Sequence, residues 1–154
     1  MTPSGTPSVL TAEECRAFGP ALANAARDDL AVYHMLLTRL LDANTTDLVE
    51  LRHAVDRRDW PGVHRSVHRL KGSAALARCP TLVAAGKSIE SAAGHGKAAV
   101  VNALLPRYVA IVAEFNDQLQ KLRGDSRLAQ GTFKEFEEAV HPPRVQAPDT
   151  AGTL

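Results

Sequence analysis

Aromatic side chains are scarce in this chain: they make up 5% of its 154 residues. A core of any size must therefore be filled by Ala, Leu and Val, a composition suited to closely packed helices. Two cysteines, Cys15 and Cys79, stand far apart and form no CxxC. That excludes a disulfide framework and a thiolate metal ribbon, and reads as two reduced thiols in a cytoplasmic protein. Net charge is only +1, so no basic field argues for nucleic acid. The longest apolar run, "YVAIVA", is far too short to span a bilayer. The start, "MTPSGTPSVL", lacks the charged and apolar regions of a secretory signal. No period-two strand pattern and no solenoid repeat is visible. Gly94 and Gly96 flank a turn with no strand before it, so they are not a phosphate loop. Without such a loop, and without paired catalytic carboxylates, an enzyme with its own turnover is the weakest reading. A monomer that binds neither membrane nor nucleic acid is expected.

What remains is helical. Residues 1–10 read as a flexible lead-in. Thr11 and Glu14 form a capping box that opens a short helix, broken at Gly19-Pro20. Apolar residues at helical spacing then run from Ala21 to Ala43. Thr45 or Thr46 caps the segment "DLVELRHAVDRR". Asp59, followed by Trp60-Pro61, caps a helix reaching about Arg78. Pro80 starts another. After the Gly94-His95-Gly96 turn, a long helix runs to Arg123, kinked or restarted at Pro106 and ended by Gly124-Asp125. The segment 124–154 is an extension with a short helix over 132–140 and a disordered tail. The fold class is all-α: an antiparallel up-and-down bundle, with a four-helix core and additional N- and C-terminal helices.

The stretch "VHRSVHRLKGSAALA" carries the chemistry. At about 100° per residue, Val63, Val67, Leu70, Ala74 and Ala77 fall within about 40° of one direction and form its core face. His68 points roughly 140° away, to solvent. One turn on each side lie His64 and Gly72. A glycine in a helix interior costs about 1 kcal/mol against Ala. Here it clears space beside the imidazole, and the small Ala75 extends the clearing. Lys71, at i+3, offers a positive charge. An exposed imidazole with open access and a nearby cation is suited to nucleophilic attack on a phosphoryl group. No carboxylate is visible on this face to position water, which suits a carrier that must hold the group. His64 with His68 is also zinc spacing, but no third ligand lies at ligand spacing, so no metal site is expected. His64, Arg65 and Arg69 are assigned to a docking face, the arginines pairing with acidic partner residues. Leu76 is expected to pack under another helix.

The segment "HRLKGSA", His68 to Ala74, resembles the motif of histidine phosphotransfer (HPt) domains; the resemblance covers about residues 21–123, and the HPt helical-bundle domain is placed at 11–123. Upstream "LLDANTTDLVELRHAVDRRDWPGVHRSV" and downstream "SIESAA" are similar to the family too. One departure is "LARCPTL" where the family has a Leu-Gly-Ala turn. The resemblance implies that His68 is the phosphoacceptor at Nε2, with Lys71 supporting the phosphate and Gly72 giving access. It implies response-regulator receiver domains, or a hybrid sensor histidine kinase, as partners. The chain itself would need no cofactor, Mg²⁺ being supplied by the receiver. Met1 and the lack of other domains favour a free-standing carrier. The alternative is a non-catalytic interaction module that docks such partners without carrying phosphate.

Overall fold

The computed structural model describes residues 8–140, with side chains described as far as Asp125. The expected flexibility of residues 1–7 and the tail 141–154 lie outside the described residues. Five helices follow: α1 Ala12–Ala25, α2 Leu30–Asp56, α3 Trp60–Leu76, α4 Pro80–Gly94 and α5 Ala98–Val140. Helices α2 to α5 each pack on the next in sequence, and α5 closes the ring against α2. This is the all-α bundle expected. Helix α1 crosses one end, against α2, α3 and α5.

The first helix is longer than its sequence suggests. Gly19-Pro20 does not break it. Pro20 removes the hydrogen bond to the Arg16 carbonyl, but Arg16 and Pro20 share the exposed face, where solvent can replace a lost backbone bond. The opposite face buries Phe18, Ala21 and Leu22, and Phe18 meets Phe115 edge to face at 5.3 Å. Pro106 follows the same rule inside α5, with Asn102 and Pro106 both exposed.

The first boundary lies instead at Ala26–Asp29, where Arg27 and Asp28 take positive φ. The expected boundary at Thr45 and Thr46 is absent, and α2 runs through it. The Thr45 hydroxyl donates back to the Leu41 carbonyl at 2.9 Å instead of capping a new helix. Gly124 likewise lies inside α5, which continues to Val140 and takes in the separate helix expected over 132–140.

Four helix ends share one closure. The backbone pairs Asp28 N to Ala23 O, Asp59 N to Ala54 O, Cys79 N to Ala74 O and Lys97 N to Ala92 O all span five residues. The residue before each donor sits in the left-handed region: Arg27, Arg58, Arg78 and Gly96. This is the Schellman arrangement, which satisfies the last carbonyls within three residues. Only one of the four positions is the glycine such closures prefer, so three of these boundaries are hard to see in sequence. Asp59 is both the last donor of one closure and the N-cap of α3, accepting from Gly62 N at 3.0 Å.

The core is mostly Leu, Val and Ala, with Ile89, Ile111, Cys79 and three aromatics. Phe18, Phe115 and Tyr108 are its largest fully buried side chains beside Leu22, Leu37 and Leu51. Within α5, the stretch Ala98–Asp125 is by length and composition apolar enough to cross a membrane, with hydropathy 1.5. Here its stripe of Val101, Tyr108, Ile111, Val112, Phe115 and Leu119 lies in the bundle core.

Residues 8–10 are not the free lead-in expected. The Glu114 carboxylate accepts from Val9 N at 3.0 Å and Leu10 N at 3.2 Å, and Leu10 is buried. Glu14 does more than complete the capping box. Thr11 Oγ1 accepts from Glu14 N at 3.0 Å and donates to Glu14 Oε1 at 3.3 Å, as expected, and the Glu14 carboxylate also reaches α4. There it accepts from the Thr81 hydroxyl at 2.6 Å and Thr81 N at 3.3 Å. Cys79, the N-cap of α4, supplies no side-chain cap, so Glu14 supplies it from another helix. Burial pushes the Glu14 carboxyl up, but the hydrogen bonds from Thr81, Cys79 and Thr11 outweigh it and hold it below its ordinary value. A folded-state value below the unfolded one gives stability that is complete above the unfolded value of 4.5 and is lost as pH falls through the folded one. Glu14→Gln is therefore expected to cost about 1 kcal/mol at neutral pH. In urea melts its deficit against wild type shrinks as pH falls below 4.5. An unchanging deficit would refute the cap.

Candidate functional site

The face of α3 forms as its periodicity predicts. Val63, Val67, Leu70, Ala74 and Ala77 are fully buried, while His64, Arg65, His68, Arg69, Gly72 and Ala75 are exposed. The His64 and His68 rings stack, with centroids 6.0 Å apart and planes 16° from parallel. A Cβ placed on Gly72 would meet nothing within 4 Å. The protein's own packing therefore does not require this glycine. Leu76 is 41% exposed, so it does not pack under another helix; it extends the open surface beyond Ala75.

The second half of the site comes from α4. Lys71 does not reach for open solvent. Its Nζ donates to Glu90 Oε2 at 2.6 Å, with both side chains mostly buried. Its aliphatic stem lies across Gly86, where a Cβ would come within 2.9 Å of Lys71 Cγ and 3.3 Å of Val67 Cγ1. Gly86 thus sets the close approach of α3 and α4 and the path of Lys71. Glu90, one turn further along α4, sits beside both histidines: ligand-bearing atoms of His64, His68 and Glu90 all lie within 4.8 Å of one another. The other oxygen, Glu90 Oε1, is buried and has no hydrogen-bond partner among the described residues. The expectation that no carboxylate stands near this face is therefore corrected. The carboxylate is there, but it belongs to a different helix, so the spacing within α3 does not reveal it.

The other flank of α3 faces α2. Arg69 Nε donates to Asp47 Oδ1 at 2.7 Å, and its Nη2 pairs with Glu50. Asp47 is buried. Arg69 is thus engaged within the chain instead of standing free for an acidic partner. Arg65 remains open, with only a 4.0 Å approach to Asp59 and a side chain 63% exposed. Beneath the site the Tyr108 hydroxyl is buried without a partner among the described residues, and burial, then the charges of Glu90 and Asp47, push its pKa up. Both cysteines are free thiols, Cys15 half-buried and Cys79 buried. Burial is the first cause that lifts Cys79, to about 12, which leaves it a poor nucleophile.

Sequence spacing thus identified His68, His64 and Gly72 together, and it missed Gly86 and Glu90. A signal for them existed: an interior glycine on α4 with a carboxylate one turn later, in the segment "GKSIE".

Comparison with curated proteins and with solved structures returned no match. The model of the Hpt domain family matches residues 35–125, from early α2 into α5. That span holds most of α2, all of α3 and α4 with the face between them, and α5 as far as Asp125, and leaves α1 outside it. Covering well over half of a chain whose helices close in this ring, the match makes it a member of the Hpt domain family, the phosphotransfer modules of phosphorelays.

Proposed function

We propose that the protein is a phosphorelay carrier in which His68 accepts a phosphoryl group from a receiver-domain aspartate and passes it to another receiver. The observation that carries this reading is the exposed His68 imidazole beside a glycine that no internal packing requires. A neutral imidazole nitrogen attacks phosphorus, the P–N bond forms as the P–O bond to the aspartate breaks, and the carboxylate leaves with its electron pair. The receiver supplies the acceptor aspartate and its Mg²⁺. Positive charge that develops on the imidazole is offset by Glu90. Lys71, already held 2.6 Å from Glu90, is placed to share its charge with the arriving phosphate. His64, Arg65 and Ala75 line the face on which the receiver docks.

Incubation with a phosphorylated receiver is expected to place an acid-labile, base-stable label on the protein. Docking without any label would favour the non-catalytic module instead.

The role of Gly72 is separable from folding. Because its Cβ position is empty, Gly72→Ala is expected to raise stability by about 1 kcal/mol in a urea melt. Gly72→Gln should fold as well, yet slow transfer on the order of tenfold, equivalent to about 1.4 kcal/mol of lost docking. Transfer at the wild-type rate would refute the access role.

A further inference from the structure

The α3–α4 face holds more than an acceptor histidine. We propose that His64, His68 and Glu90 form a three-ligand site for a first-row divalent cation of the Zn²⁺ class, and that metal and phosphoryl group exclude each other at His68.

The donor set is the first support. Two imidazoles and one carboxylate, with a fourth position left to water, is an arrangement zinc accepts. Nitrogen donors select against Mg²⁺ and Ca²⁺, which take oxygen. The geometry is the second. The three ligand-bearing atoms already lie within 4.8 Å of one another. A tetrahedral ion with bonds of about 2.0–2.2 Å needs donors about 3.4 Å apart. The remaining closure falls on the two exposed histidine side chains, which occupy i and i+4 on one helix and turn about χ1 and χ2 without moving the backbone.

Glu90 supplies the third support. Lys71 holds Oε2 at 2.6 Å, which fixes the carboxylate. Oε1 is buried with no partner among the described residues. A buried carboxylate oxygen without a hydrogen bond is costly, and a cation between it and the imidazoles would satisfy it. Lys71 then acts as the outer hydrogen-bond donor that orients a ligating carboxylate. Its charge opposes the metal, so Lys71→Met is expected to tighten binding if the carboxylate keeps its place.

Metal coordination takes the imidazole lone pair, the same pair that attacks phosphorus. This exclusion rests on His68 being the phosphoacceptor; the metal site itself does not.

The test is calorimetric titration of the full chain with Zn²⁺ in a non-thiol reductant. One ion per chain is expected. Binding should weaken at least tenfold in His64→Ala, His68→Ala and Glu90→Gln, and stay unchanged in His95→Ala, an exposed histidine outside the trio whose Nδ1 pairs with the Ser91 carbonyl. Circular dichroism confirms that each variant folds. No binding, or binding equally tight in His64→Ala and Glu90→Gln, overturns the site. In a second arm, phosphoramidate serves as a small donor and labelling is followed against Zn²⁺. Labelling should fall with a midpoint at the calorimetric Kd; labelling indifferent to saturating Zn²⁺ overturns the exclusion. No labelling of metal-free protein would count against the phosphoacceptor reading alone, because calorimetry decides the metal site without it.

Discussion

His68→Gln is expected to abolish labelling by a phosphorylated receiver while leaving the protein folded. Glutamine keeps a polar side chain of similar reach but has no ring nitrogen with a free lone pair, so no P–N bond can form. The substitution lies on an exposed face, and surface changes of this kind usually stay within about 0.5 kcal/mol. Loss of label with an unchanged melt would therefore reflect chemistry and not collapse of the fold. The neighbouring His64 sharpens the measurement. It stacks on His68 at 6.0 Å and is exposed as well, but the residue one turn after it is His68, with Arg65 and Val67 before that. It has neither lysine at i+3 nor glycine at i+4. His64→Gln should therefore keep the label, at a rate lowered by whatever that imidazole gives to docking. Label that persists in His68→Gln and disappears in His64→Gln would transfer the acceptor role to His64. Persistence in both would remove the acceptor from this face.

How much of this could be read without coordinates differs between helices for identifiable reasons. Helix α3 was legible throughout: Asp59 caps it, Pro61 sits in its first turn, and its apolar stripe is the buried face. Each of these features depends on residues within one or two turns. The α1–α2 boundary was misplaced because it is closed by Arg27 and Asp28 in the left-handed region, with neither glycine nor proline to announce it. Proline misled in the opposite direction at Pro20, where solvent on the exposed face can replace the lost bond and the break is unnecessary. Three polar residues share another cause. Glu14, Glu90 and Arg69 have short-range meanings in sequence: a capping box, part of a helix pattern, a surface cation. In the fold each is committed to another helix, to Thr81, Lys71 and Asp47 respectively. Long polar side chains span the gap between neighbouring helices, so their partners depend on packing that periodicity does not encode. The half of the site on α3 was legible, and the half on α4 was not.

The cost of that commitment is largest at Arg69. Asp47 has a side chain only 7% exposed, and Arg69 Nε is its hydrogen-bonding cation at 2.7 Å. Arg69→Ala would leave a desolvated carboxylate without that partner. Breaking a fully buried pair costs about 3–5 kcal/mol. Arg69 itself is 46% exposed, so water can enter where the guanidinium was, and about 2–3 kcal/mol is the expected loss. For a domain of this size that lowers Tm on the order of 10 °C. The double variant Asp47→Leu/Arg69→Leu separates a lost attraction from a stranded charge. Replacing both partners of a buried pair with apolar groups is often neutral or stabilising, so most of the loss should be recovered. A docking residue would behave differently: Arg69→Ala would melt like wild type and lose receiver affinity. If the single variant keeps its Tm and only phosphotransfer falls, Arg69 belongs to the partner surface and its ion pair with α2 contributes little. If it melts early and the double variant is rescued, the guanidinium is part of the frame that holds α2 against α3, and so of what keeps His68 presented to solvent.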